Sequence, residues 1–177
     1  ISAGEPSLTY NWKVHSTASD GATASWHSEG GITLHAGSTA NWENEANAAG
    51  NAPRIFWNAG GSINVNKSET VWKTIAQSGM YWRAGGSISI TNNGNQTTEP
   101  KVEWTSTNAG DMHWEAGENI NVVNDSKPLK FTQTGTGSTR WNANNNINVT
   151  AGTGGIEFTN SSSAAPSFST PYAPNEM

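Results

Sequence analysis

Between Val102 and Val149 one order of apolar positions is written out twice. Val102-Glu-Trp104 leads to Trp114 and then to Ile120-Asn-Val122. Leu129-Lys-Phe131 leads to Trp141 and then to Ile147-Asn-Val149. Counted from Trp104, and again from Phe131, the apolar residues fall at +10, +16 and +18. These steps are even, and a β-strand turns every second side chain to the same face. The pattern predicts a repeat of strands, not of helices.

The same order extends over most of the chain. Tyr10 and Trp12 lead to Trp26, Ile32 and Leu34, and Trp42 leads to Trp57, Ile63 and Val65. Trp72 leads to Trp82, Ile88 and Ile90, and a shortened copy opens at Ile156-Glu-Phe158. The two aromatic positions of successive units lie 14, 15, 10, 10 and 10 residues apart, whereas the step from the second aromatic to Ile is always 6. Length therefore varies only in connections, as it does where strands are joined by surface turns. Gly, Asn and Asp mark those turns, as at Asp20-Gly21, Asn93-Gly94 and Gly135-Thr136-Gly137. Gly30-Gly31, Gly60-Gly61 and Gly85-Gly86 sit just before the Ile and predict a bend or close backbone approach; Glu118-Asn119 and Asn145-Asn146 take their places later. Residues 38–50 could form a helical turn, but Trp42 fits the strand repeat and a strand is expected. The resulting organisation is a lead-in at 1–8, a β-repeat shaft at 9–159 and a Ser/Ala/Pro-rich C-terminal tail at 160–177.

Strands of this kind have an apolar face that a single sheet cannot bury. Two closures are open: a single-chain β-solenoid, in which each unit of 27–32 residues is one coil and Trp stacks on Trp, or an intertwined homotrimer, in which three chains face a common axis. Short connections argue for antiparallel or meandering neighbours. A low apolar fraction suits a core shared between chains. The expected fold is thus all-β, an elongated repetitive β-helix or β-prism, with the homotrimer ahead of the solenoid and a body about 50 Å long at ~4.8 Å per strand.

Composition sharpens this reading. The 177 residues are 33% hydrophobic and 13% charged, with nine Trp among runs of Asn, Ser, Thr and Gly. A disordered chain would lack the Trp and Ile. With a formal charge of −5 and nine Lys and Arg placed singly, no nucleic-acid groove is expected. There is no cysteine, hence no disulfide framework or thiolate metal site. No apolar run reaches membrane-spanning length.

Candidate chemistry is sparse. Trp12, Trp26, Trp42, Trp57, Trp72, Trp82, Trp104, Trp114 and Trp141 could be sugar-stacking platforms. Their shared register with Ile32, Ile63, Ile88, Ile120 and Ile147 favours a buried core ladder instead. His15, His27, His35 and His113 form no His-x-His pair, and alternation turns His27 and His113 outward into solvent. Glu103 and Glu115 flank Trp104 and Trp114 and could face one another across a hairpin, but a glycosidase also needs a cleft and two unlike carboxylate environments. Asp20, Asp111 and Asp125 lie in turns. Phosphate-loop, nucleophile-elbow and zinc signatures are absent from the sequence. The residues predict neither catalytic nor cofactor-binding nor metal-binding positions, and no enzyme.

Trp26-His-Ser-Glu-Gly-Gly-Ile-Thr-Leu-His-Ala-Gly37, Trp82-Arg-Ala-Gly-Gly-Ser-Ile-Ser-Ile90 and Trp141-Asn-Ala-Asn-Asn-Asn-Ile-Asn-Val-Thr-Ala-Gly152 resemble the Ala-Gly-Gly-x-Ile-x-Val strands of contractile phage tail spikes and of type VI secretion spikes. The ending Ile156-Glu-Phe-Thr-Asn-Ser-Ser-Ser-Ala-Ala-Pro166 is similar to theirs too, so the likeness spans about residues 26–166. It implies a structural protein of the virion tail: a membrane-piercing central spike or fibre segment, trimeric, held by baseplate proteins. It also implies a separate metal-bearing tip protein and a host envelope as target. The alternative is a secreted or cell-surface adhesin, or a receptor-binding fibre, with a β-solenoid fold that binds glycans.

Overall fold

The computed structural model describes residues 9–16, 23–34, 39–46, 54–66, 69–75, 79–92, 102–106, 111–124, 129–151, 155–162 and 164–170. All regular structure among them is β. The first coil is β1 (Thr9–Ser16), β2 (Thr23–Ser28) and β3 (Ile32–Leu34), and the second β4 (Thr39–Ala46), β5 (Arg54–Ala59) and β6 (Ile63–Asn66). The third is β7 (Glu69–Ile75), β8 (Gly79–Ala84) and β9 (Ile88–Asn92). The fourth is β10 (Val102–Ser106), β11 (Met112–Ala116) and β12 (Ile120–Asn124), and the fifth β13 (Leu129–Gly135), β14 (Thr139–Ala143) and β15 (Ile147–Ala151). Then β16 (Ile156–Ser162) and β17 (Ser167–Ser169) begin a sixth. The stretch beyond residue 160 thus supplies the end of one strand and the whole of another.

Each strand pairs not with its sequence neighbour but with the strand one coil away. Sheet 1 runs β1-β4-β7-β10-β13-β16, sheet 2 runs β2-β5-β8-β11-β14-β17, and sheet 3 runs β3-β6-β9-β12-β15. Every pairing is parallel: Trp57 lies beside Trp82, Trp82 beside Trp114 and Trp114 beside Trp141. The antiparallel neighbours expected from short connections are therefore wrong. Those connections are corners that turn the chain onto the next face, and the return to the same sheet takes a whole coil. For the same reason Glu103 and Glu115 do not meet. Glu103 registers with Val71 and Lys130 in sheet 1, and Glu115 with Arg83 and Asn142 in sheet 2. The strand at 39–46 replaces the helical turn considered there.

The chain is a β-solenoid, and its three sheets enclose their own core. Sheet 2 contributes Ile55, Met80 and Met112, then Trp57, Trp82, Trp114 and Trp141, then Ala59, Ala84, Ala116 and Ala143, all buried. Sheet 3 contributes Ile63, Ile88 and Ile120, with Val65, Ile90 and Val122. Sheet 1 contributes Trp104 and Phe131. The grounds for placing a three-chain prism first were short connections and a low apolar fraction; here the neighbours are parallel, and the apolar face of each sheet is covered by the other two. Because the strands share three faces, no sheet is more than six deep. The stack is about 24 Å from first strand to last at ~4.8 Å per step, half the expected length.

The corner between sheets 2 and 3 is hydrogen-bonded from coil to coil. Gly60 N–H donates to Ser28 O (2.8 Å), Gly85 N–H to Ala59 O (2.9 Å), Gly117 N–H to Ala84 O (2.9 Å) and Asn144 N–H to Ala116 O (3.1 Å). A Cβ on Gly60, Gly85 or Gly117 would run into the carbonyl of Glu29, Gly60 or Gly85 respectively. That close approach explains the glycines. The stacking also corrects the alignment of this corner. Gly61 and Gly86 stand over Glu118 and Asn145, while Asn119 and Asn146 continue the row of Ser62 and Ser87.

Candidate functional site

The residues expected as a core ladder fall into three groups. Trp57, Trp82, Trp104, Trp114, Trp141, Ile32, Ile63, Ile88 and Ile120 are buried, and Trp26 and Ile147 are partly buried against them. The side chains of Trp12, Trp42 and Trp72 lie outside the described residues, although their strands place them in register with one another and with Trp104.

The buried indoles stack. Centroids along sheet 2 are 5.4 Å apart from Trp26 to Trp57, then 5.3, 5.2 and 4.6 Å on to Trp82, Trp114 and Trp141, with the last pair 2° from parallel. Sheet 1 forms a second column, Trp104 on Phe131 at 4.7 Å and Phe131 on Phe158 at 5.1 Å. Trp104 and Phe131 each meet two rings of the first column edge-on: Trp104 touches Trp82 and Trp114, and Phe131 touches Trp114 and Trp141. Stacking within a column and edge contact between columns are the two arrangements that ring quadrupoles favour. Indoles so enclosed cannot serve as sugar platforms.

The outward side chains of sheet 2 are different. Alternation sets them in rows along the solenoid axis. One row reads Ser25, Phe56, Tyr81, His113, Arg140; the next reads His27, Asn58, Arg83, Glu115, Asn142. Phe56 and Tyr81 stack at 5.1 Å, His113 meets Tyr81 edge-on at 5.1 Å, and the Arg54 guanidinium lies 5.2 Å from the Tyr81 ring centre. Tyr81 can lie down over the sheet because Gly79, two residues earlier on the same face, has no side chain there. Arg83 Nε is 3.7 Å from Glu115 Oε2. Between the rows runs a groove of about 170 Å³ lined by Phe56, Tyr81 and His113 on one side and Asn58, Arg83 and Glu115 on the other. A second depression, about 280 Å³, lies beyond Arg83 and Glu115 over the glycine corner.

Asp111, immediately before β11, anchors this face. Its carbonyl accepts from Met80 N–H (2.7 Å) and its Oδ1 accepts from both the N–H (2.8 Å) and the hydroxyl (2.9 Å) of Ser138, so one residue ties three coils. His113 Nε2 is 3.3 Å from Ser138 Oγ and 4.0 Å from Asp111 Oδ2. The trio has the composition of a hydrolytic triad without its geometry. In a triad the two imidazole nitrogens separate acid from nucleophile. Here one nitrogen faces both, and the Ser138 proton goes to the aspartate. Burial lowers the His113 pKa, against the opposing pull of Asp111. Burial, then the Asp111 charge, raises that of Tyr81. His27 is exposed, whereas His113 is half-buried in this network and not simply solvated as expected.

No family model, curated protein or solved structure matches this chain. The site must be read from its own chemistry.

Sequence reasoning missed this face. Phe56 and Tyr81 each precede a core Trp, so by alternation they point away from the core, and aromatic residues at outward positions were the available signal. No group of three or more His, Asp or Glu side chains suited to a metal ion occurs among the described residues.

Proposed function

We propose that this chain is a binding module, a self-supporting β-solenoid fibre of the adhesin or receptor-binding type. In that reading it is displayed on a cell or virion surface, and its second sheet makes contact with a target. The observation that carries the reading is the contrast between the faces of the solenoid. Sheet 3 shows solvent Thr33, Asn64, Ser89, Asn121 and Asn148, the plain polar coat a passive shaft needs. Sheet 2 puts aromatic, imidazole, guanidinium, amide and carboxylate groups side by side at the same depth. Outward aromatic and Arg side chains are characteristic of contact surfaces.

A piercing spike has no need of such a face, and the trimer that reading relied on loses its physical motive once one chain covers its own core. The parallel sheets supply what a display fibre requires: coils bonded to their neighbours along the whole axis and little freedom within each.

The test is adhesion. Beads carrying the folded chain are expected to be retained on some members of a panel of bacterial and animal cells. Retention no better than that of beads carrying heat-denatured chain on every cell type would overturn the reading.

A further inference from the structure

The two-walled groove of sheet 2 points to a ligand class. We infer that it is a subsite for a neutral, linear saccharide lying along the solenoid axis; this rests on the binding-module reading. One wall is formed by Phe56, Tyr81 and His113, the other by Asn58, Arg83 and Glu115, with their amide, guanidinium and carboxylate groups. A pyranose has matching halves, an apolar edge of C–H groups and a rim of hydroxyls that both donate and accept. Asn58 offers both roles, Arg83 donates and Glu115 accepts.

Three further features fix the details. The groove holds about 170 Å³, the scale of a single sugar ring and below that of a drug-sized pocket. Both walls repeat once per coil through β5, β8 and β11, every ~4.8 Å. That step is close to the advance of a glycan chain per residue, so a chain that continues past the ring in the groove stays in step with the coils. The charges of the polar wall already answer one another, Arg83 to Glu115 at 3.7 Å, so that wall itself offers a sugar no net charge.

The surrounding structure keeps the aromatic wall in place before any ligand arrives. Tyr81 is held by Phe56 and Arg54, and His113 by Ser138 and Tyr81. Binding to a preformed groove avoids the cost of ordering it.

The experiment is calorimetric titration of the full chain with cello-, chito-, xylo- and manno-hexaoses, oligogalacturonate and a sulfated oligosaccharide. At least one neutral hexaose is expected to bind. Asn58→Ala and Arg83→Ala should each weaken it tenfold or more while leaving the far-UV dichroism unchanged. Tyr81→Phe should retain binding, because the ring wall survives, and Asn121→Ala on sheet 3 should bind as wild type. Binding that the groove variants leave intact would overturn the subsite yet spare the module. Binding by acidic sugars alone, or by none of the six, would overturn the inference. Cell adhesion that persists through such a failure would keep the broader reading, whereas sugar binding without adhesion would remove that reading and leave the groove.

Discussion

Trp114 shows how much one residue carries. Its ring is fully buried, stacked on Trp82 and Trp141 and edge-on to Trp104 and Phe131. Truncation to Ala should cost about 3–5 kcal/mol, since the cavity cannot collapse between rigid rings. Thr150→Ala on the exposed face of sheet 3 should stay within about 0.5 kcal/mol. Guanidinium denaturation followed by far-UV dichroism measures both. Gly85→Ala should cost about 1–3 kcal/mol by the same assay, because its Cβ meets the Gly60 carbonyl and either the corner or the adjoining strands must shift. Asn144 already stands in that row one coil beyond Gly117, and its backbone bond, at 3.1 Å, is the longest of the four. At His113 the sign follows from burial. Its folded pKa is lowered, so the unfolded chain takes up the proton first. The stabilisation is complete above the ordinary histidine value, about 6.5, and is lost as pH falls below it toward the lowered value. The melting temperature should therefore fall between pH 7 and 5, and His113→Gln should fall less. Equal falls would contradict the shift.

At the scale of strands and corners, what could be read from sequence was what recurs at a fixed length, within a strand or across the invariant corner between sheets 2 and 3. Trp-to-Ile at 6 and Ile-to-aliphatic at 2 hold in every coil, and the structure places the buried rows there. The even spacing across the first connection carried no such meaning. Trp42 and Trp57 are 15 apart, an odd step, and Trp57 is as buried as Trp82, which follows Trp72 by 10. The connection from sheet 1 to sheet 2 varies in length, so parity counted through it says nothing about which way a side chain faces, whereas the corner of constant length before the Ile keeps its step. Pairing was hidden for a related reason. A short connection is equally compatible with a hairpin and with a bend onto a new face, and only closure of the whole coil distinguishes them. The outer site was less legible still, because its members come from three coils. Asp111 illustrates this: it reads as an ordinary turn aspartate, yet it ties β8 to β14 through Met80 and Ser138. Asp111→Ala removes the acceptor of two bonds and should destabilise by about 1–3 kcal/mol. It should also remove the charge that opposes burial at His113, visible by NMR as a histidine pKa still further below the ordinary value.

For the molecule as a whole, stability is a sum over neighbouring coils, and its ends are the weak places. Nothing stacks beyond the sixth coil among the described residues, and Val149, Phe158 and Phe168 are 52, 37 and 51% exposed there, one on each sheet. Hydrogen exchange should therefore be fastest in β15 to β17 and slowest in β8 and β11, where coils lie on both sides. The central claim is that one chain lays each coil on its own predecessor. The most direct measurement is a cross-link between registered partners. Asn121 and Asn148 face each other on sheet 3, with Nδ2 of Asn148 2.9 Å from Oδ1 of Asn121, and the chain has no cysteine of its own. Their backbones are about one strand spacing apart, within reach of a disulfide. The double variant Asn121→Cys, Asn148→Cys should oxidise to an intrachain disulfide at monomer mass on a non-reducing gel. Disulfide-linked dimers and trimers, or two thiols that stay reduced in a folded protein, would contradict it.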